Sequence, residues 1–349
     1  MKTKKRNVAI NDLEAGMIAV KNIMYDNKVL IAEGIPITEM AISKLKERYL
    51  YNKIEVYAEP NADELKEEEM ERVEESFNEL TGDLQKIFNG MDNLQVSGIE
   101  EVRNFAIKVK SEMDPANLII KNIVLHGSGM DTVYRHGVNV SALSLILGKW
   151  IGLNEVQLNL LVYSAILHDF GKTKINNKVL CKEGKLTQNE LKDIKSHPLV
   201  AYNYISKIPF LDKTVSQGVL LHHEREDGSG YPLGIKGEKI PTFAKIIAIA
   251  DVFDAINSRR PYREKRKPFE ALAIIQKEEL GKLDYEYCKL FTNHIVNFYI
   301  GEKALLNDGR VCKIIKVDPD NLNAPLLFDE NEFIDLKVRK DLYVEELLI

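Results

Sequence analysis

From Glu100 to about Tyr299 nearly every segment repeats its apolar residues with helical period, and this stretch dominates what the chain can fold into. Capping signals such as Thr187-x-x-Glu190 mark helix starts, and Gly or Pro marks the breaks. The texture differs on either side. Between Arg6 and Tyr57 the strand-like runs NVAI, MIAVKNIMY, KVLIAEG and KIEVYA enclose one helical stretch, ITEMAISKLKER, which predicts a small α+β module. After Gly301, ALLNDGRVCKIIKVD carries Asn307-Asp308-Gly309 between two apolar runs, a hairpin signal with room for further strands. The expected fold is mainly α, a helical bundle flanked by an N-terminal α+β module and a small β-rich C-terminal module.

Between the first module and the bundle the composition turns acidic. Met70, Val73, Phe77, Leu80, Leu84, Ile87, Met91 and Leu94 recur at alternating spacings of three and four, a heptad seam. Two readings stand side by side: the seam pairs with its copy in a homodimer, or it lies on the chain's own domain. Gly82 and Gly90, each costing a free-standing helix ~1 kcal/mol, weigh against a self-supporting coil. The expected organisation is residues 1–60 as the first module, 61–98 as the acidic helix, 99–300 as the helical domain and 301–349 as the last module.

Charge narrows the function classes. With 48 Lys and Arg against 53 Asp and Glu, the net charge of −5 leaves no basic excess for a nucleic-acid backbone, so no polymeric nucleic acid is expected. Cys181, Cys288 and Cys312 are widely spaced and form no Cys-x-x-Cys pair, as suits a reducing, cytoplasmic setting. The basic start MKTKKR is followed by NVAINDLEAG, which lacks the apolar core of a secretion signal. The most apolar stretches fall short of the ~20 residues a membrane helix needs, so no membrane insertion is expected.

Five of the seven histidines lie between His136 and His223. His136 continues the stripe of Val140, Leu143 and Leu147, His168 continues that of Leu161 and Ala165, and Asp251 follows Ala244, Ile247 and Ala248. Each therefore points inward, where an unsatisfied polar group costs roughly 1–3 kcal/mol. Singly, each is read as a hydrogen-bonded core residue; gathered around metal, the penalties become one site. Asp169 adds a carboxylate beside His168, His197 opens a helix ahead of Pro198, and the adjacent His222 and His223 project ~100° apart, enough to serve two ions. Imidazoles with few carboxylates and no thiolates favour Fe, Mn or Zn over Ca or Mg. His126 and His294 match no cluster.

The histidine pair runs into Glu224-Arg225-Glu226-Asp227-Gly228-Ser229-Gly230-Tyr231-Pro232. Two glycines give this loop backbone freedom, Pro232 stiffens its exit, and Tyr231 brings an aromatic ring for a nucleobase to stack on, or one that simply packs.

These pieces together closely resemble the HD-GYP phosphodiesterases, a branch of the HD superfamily of metal-dependent phosphohydrolases. The likeness runs from about Leu125 to Phe291 and rests on YRHGVNVSALS around His136, LHDFGK at Leu167–Lys172, KLTQNELKDIKSHP ending at Pro198, HHEREDGSGYP at His222–Pro232, and IPTFAKIIAIADVFDAINSRRPYR at Ile240–Arg263. DLEAGM and VLIAEG are similar to a small domain often found ahead of this catalytic domain. The resemblance implies an HD-type bundle that hydrolyses cyclic di-GMP to linear pGpG, and onward to GMP, by attack of a metal-bridging hydroxide. It implies two divalent ions, iron or manganese first, with zinc, magnesium, nickel or cobalt as alternatives. His136, His168 and Asp251 would hold one ion, His197, His222 and His223 the other, and Asp169 would bridge them. Lys172 would steady phosphate charge or the leaving oxygen, Arg260 and Arg263 would bind substrate phosphates, and Gly230, Tyr231 and Pro232 would line the substrate site. Thr132 stands where some members carry a glutamate for a third ion, so two ions are expected. Arg259 replaces a commonly acidic residue, Gly137 a usual Ser, and Leu283-Asp284-Tyr285 a frequent Phe-Asp-Pro. A diguanylate cyclase or another signalling protein is the kind of partner implied. The competing readings are a cyclic-dinucleotide sensor without turnover and a phosphodiesterase for a mixed cyclic dinucleotide.

Overall fold

A computed structural model of the chain describes residues 4–26, 28–48, 52–58, 62–91, 97–112, 117–127, 133–182, 184–209, 211–258, 269–277 and 281–348. It divides into two compact units, residues 1–72 and 73–349. In the first, β1 (Lys4–Ala9), β2 (Ile18–Ala19), β3 (Ile23–Tyr25), β4 (Lys28–Ile31), α1 (Glu39–Arg48) and β5 (Lys53–Ala58) follow in order. β5 lies between β1 and β2, antiparallel to both, and β3 pairs with β4. Val8, Ala19, Ile23, Ile31, Leu45 and Val56, one from each element, are buried in a core of their own. This is the α+β module that the alternating runs predict.

α2 (Ala62–Gly90) crosses from one unit to the next, and from Val73 onward its apolar face enters the second core. Val73, Phe77, Leu80, Leu84, Ile87 and Met91 are buried there, and the Phe88 ring meets Tyr134 at 5.7 Å and Phe170 at 5.3 Å. The described part of the seam therefore lies on the chain's own helices. A heptad pattern states that a face is apolar, not what covers it. The side chain of Met70, and Leu94, lie outside the described residues.

The second unit continues through α3 (Ser97–Glu112), α4 (Asn117–His126), α5 (Val133–Ile151), α6 (Glu155–Leu167), α7 (Asn177–Leu180), α8 (Gln188–Lys195), α9 (His197–Ile205), α10 (Lys213–Leu221), α11 (Thr242–Asn257), α12 (Glu270–Lys277) and α13 (Tyr285–Ile295). Local chemistry sets several starts: reciprocal capping boxes pair Asn154 with Gln157 and Thr187 with Glu190, and Asp212 and Asp284 cap α10 and α13. α5 packs tightly on α6, because a Cβ at Gly148 would stand 2.7 Å from Leu161 Cδ2. Trp150 at the end of α5 stacks on His294 of α13, ring centroids 4.4 Å apart.

The chain ends in an antiparallel sheet of β6 (Lys303–Leu306), β7 (Val311–Asp318), β8 (Asn321–Phe328), β9 (Phe333–Asp335) and β10 (Val344–Leu348), in the order β10-β6-β7-β8-β9. Asn307-Asp308-Gly309 lies in the β6–β7 connection, as the hairpin signal predicts, with Gly309 at φ 87°. Ala304, Leu306, Cys312, Ile314 and Leu327 share the apolar core of the helices, so this sheet is built onto the bundle. Among the described residues no helix is long and apolar enough to cross a membrane.

Candidate metal centre and active site

The bundle brings seven of the expected side chains to one place. His136 comes from the first turns of α5, His168 and Asp169 follow α6, His197 opens α9, His222 and His223 follow α10, and Asp251 lies on the inner face of α11. Donor atoms of His136, His168 and Asp251 lie within 4.8 Å of one another, as do those of His197, His222 and His223, and those of His168, Asp169 and His222. Asp169 touches both groups: Oδ2 is 3.6 Å from His136 Nε2 and 3.5 Å from His168 Nε2, and Oδ1 is 3.3 Å from His197 Nε2.

Backbone carbonyls orient the rings. His168, His197 and His222 donate Nδ1–H to the carbonyls of Ala165, Ile194 and Val219, three residues earlier in each case, at 2.6, 2.7 and 2.7 Å. His136 Nδ1–H donates instead to Asp254 Oδ2 at 2.7 Å, and its Nε2 meets Asp251 Oδ1 at 3.0 Å. In the first three rings this tautomer leaves Nε2 as a lone pair directed into the cluster. His197 Nε2 then faces His222 Nε2 at 3.4 Å and Asp169 Oδ1 at 3.3 Å, lone pair toward lone pair. His168 Nε2 and Asp169 Oδ1 are buried without a hydrogen-bond partner. Orphaned buried atoms and converging lone pairs are costly on their own and fit a site for divalent cations. The donor set of imidazole nitrogen and carboxylate oxygen, with no thiolate, suits Fe, Mn or Zn.

Electrostatics reinforce this. Burial holds the His168 imidazole below its usual pKa, that of His197 down at about 4, and those of His222 and His223 well below the usual range, so these rings stay neutral, the ligating form. Burial would also lower His136, but Asp251 and Asp254 raise it to about 10. Burial pushes the Asp169 carboxyl up; Lys172, whose Nζ donates to Asp169 Oδ2 at 2.6 Å, and the charged His136 ring 3.6 Å away override it and hold the group well below the carboxylate range. Lys172 lies on the 3-10 turn Phe170–Lys174, where a Cβ at Gly171 would land 2.0 Å from the His197 carbonyl oxygen, so glycine alone lets this turn meet α9.

The loop after the histidine pair folds back on itself. Tyr231 N–H donates to the His223 carbonyl at 3.2 Å, and a Cβ at Gly230 would fall 2.4 Å from Glu224 Cα and Arg225 N. The Tyr231 ring stacks on His223, centroids 4.6 Å apart at 28°, and Pro232 follows through a cis peptide bond. Arg260, Arg263, Arg259 and Thr132 lie outside the described residues.

Two buried acids do work that the sequence pattern does not single out. Asp254 accepts from His136 and from Asn139 Nδ2 at 2.8 Å, and its position one turn beyond Asp251 on the same inward stripe was the available signal. Glu224, 2% exposed, accepts from the backbone N–H groups of Leu233, Gly234 and Ile235 at 2.6, 3.1 and 3.1 Å and so ties the loop shut. No side-chain pattern announces a carboxylate whose partners are main-chain amides.

A helical bundle with this His/Asp cluster is the architecture of a metal-binding HD domain. Residues 119–286 match the HD domain family. Among curated relatives, the cyclic di-GMP phosphodiesterase response regulator RpfG of Xanthomonas campestris is 43% identical over 37% of this chain and 35% of its own length. A cyclic di-GMP phosphodiesterase of Thermotoga maritima is 38% identical over 46% of this chain and 43% of its own. The chain thus matches less than half the length of either relative. Among solved structures, Bd1817, an HDG"Y"P protein from Bdellovibrio bacteriovorus, superposes with a TM-score of 0.54 at 17% identity, covering 83% of this chain and 99% of that one, which shows a shared fold.

Proposed function

We propose that this chain is a metal-dependent phosphodiesterase of cyclic dinucleotides, with cyclic di-GMP as substrate and linear pGpG, then GMP, as products. The observation that carries the reading is the pair of donor triplets, His136/His168/Asp251 and His197/His222/His223, with Asp169 reaching into both. These seven residues would hold two divalent ions. Bound ions would supply Lewis acidity to the phosphate oxygens and lower the pKa of water into the working range.

The chain's own residues prepare that chemistry. The carbonyls of Ala165, Ile194 and Val219 fix three tautomers, and Asp254 fixes the orientation of His136. Lys172 keeps Asp169 ionised and places a positive charge where phosphate charge grows. Tyr231, laid on His223, sets that ring's tilt, and Gly230 and Pro232 shape the loop beside it. Arg260 and Arg263 remain the proposed phosphate ligands from the segment after α11.

The test is incubation of the iron- or manganese-loaded protein with cyclic di-GMP and, in parallel, with a mixed cyclic dinucleotide. Linear product from cyclic di-GMP is expected, and absence of product from either across several metals defeats the hydrolase reading. His168→Ala and Asp169→Ala should each abolish turnover with the helical content retained; undiminished turnover removes the site.

A further inference from the structure

Lys195 ends α8, two residues before His197 opens α9, and its ammonium lies over the Tyr231 ring, 5.2 Å from the centroid. That ring is itself stacked on His223, so the cation is held at the rim of the cluster through an aromatic relay. Three other lysines of this unit have anionic partners. Lys172 binds Asp169, Lys182 binds Glu190, and Lys245 is shared by Glu226 and Asp284. Lys195, by contrast, is exposed and makes no ion pair with a carboxylate among the described residues. α8 is pinned at its start by the Thr187/Glu190 capping box, so this charge is presented from a fixed helix end.

We propose that Lys195 is a substrate-binding cation of this site, contacting the phosphodiester of a cyclic dinucleotide that is not being cleaved. The proposal rests on the phosphodiesterase reading above. A cyclic dinucleotide carries two phosphodiesters, and ions at the cluster would neutralise the one that reacts. The other lies toward the rim, where an unpaired ammonium on a flexible stem reaches an anionic oxygen without first breaking an ion pair. Tyr231 serves as the platform that holds this ammonium, in addition to packing on His223. An aromatic relay of this kind ties recognition of the second phosphate to the same loop that sets the His223 ring.

The experiment compares wild type, Lys195→Ala and Lys195→Arg, metal-loaded, on cyclic di-GMP and on bis(p-nitrophenyl) phosphate, which has a single phosphodiester. Lys195→Ala should raise KM for cyclic di-GMP about tenfold with kcat within about twofold, as expected for loss of one charge-assisted contact. It should leave hydrolysis of the single diester unchanged. Lys195→Arg, which keeps the cation, should hold KM within about twofold of wild type. An unchanged KM for cyclic di-GMP in Lys195→Ala overturns the contact. An equal loss on both substrates overturns it too, since that marks damage to the cluster. Equilibrium dialysis of cyclic di-GMP needs no turnover and separates the two readings. Binding without product removes the hydrolase reading alone, whereas equal affinity in wild type and Lys195→Ala removes the Lys195 contact alone.

Discussion

Glu224 is a buried carboxylate whose partners are three consecutive main-chain amides, an arrangement that makes one side chain responsible for the shape of a whole loop. Glu224→Ala leaves those amides unsatisfied and is expected to cost about 2–3 kcal/mol of unfolding free energy, measured by urea titration, together with a loss of turnover. Glu224→Gln, which keeps the volume but turns a donor toward the amides, should fall between. Wild-type stability and turnover in the alanine variant would show that the loop holds its shape without it. Of the proposed ligands, His136, His168 and Asp251 were legible as inward-pointing groups, because each continues a stripe of Val, Leu, Ile or Ala, and the structure brings their donor atoms within 4.8 Å of one another. Asp254 stood on the same stripe and was readable in principle. Glu224 was not, since its partners are amides of a loop that has no period.

At the scale of the element, α8 and α2 show how helix ends and helix faces position the cluster. α8 starts on the Thr187/Glu190 box, which fixes the register of Lys195 at its other end, two residues before His197 opens α9. Thr187→Ala is expected to destabilise the protein by about 1 kcal/mol in denaturant melts while leaving kcat within about twofold. A loss of cluster activity far beyond that would mean the cap positions the ligand rather than the helix alone. α2 shows where sequence reading stops. Its seam of Val73, Phe77, Leu80, Leu84 and Ile87 was plain, but an apolar seam satisfies a copy or a neighbour equally well. What decides is supplied from far along the chain: Phe88 meets Tyr134 and Phe170, and Gly137 leaves Leu84 Cδ2 3.0 Å from where a Cβ would be. These residues flank His136 and Asp169, so the acidic helix serves as the backing of the cluster. Its outward face is further tied by the paired contacts of Arg135 with Glu74 at 2.6 and 2.8 Å.

Among the described residues of the molecule there are two large apolar cores, one of β-strands and α1, the other of the bundle with its terminal sheet. The His/Asp cluster lies in the second, and no other such cluster occurs among the described residues, so divalent ions should stabilise that unit by mass action and leave the first unchanged. Thermal melts with and without manganese are expected to show two transitions, of which one rises with metal at about 2.7 kcal/mol for a hundredfold excess over Kd and falls back on chelation. A single transition that moves as a whole would show the units to be coupled. Trp150, the chain's one tryptophan, stacks on His294 inside the second unit. The protein therefore carries its own optical label: indole emission follows the α5–α13 contact of the bundle, and with tryptophan excitation the strand unit stays dark. The metal-dependent transition can thus be watched alone, in the unmodified chain, with no dye attached.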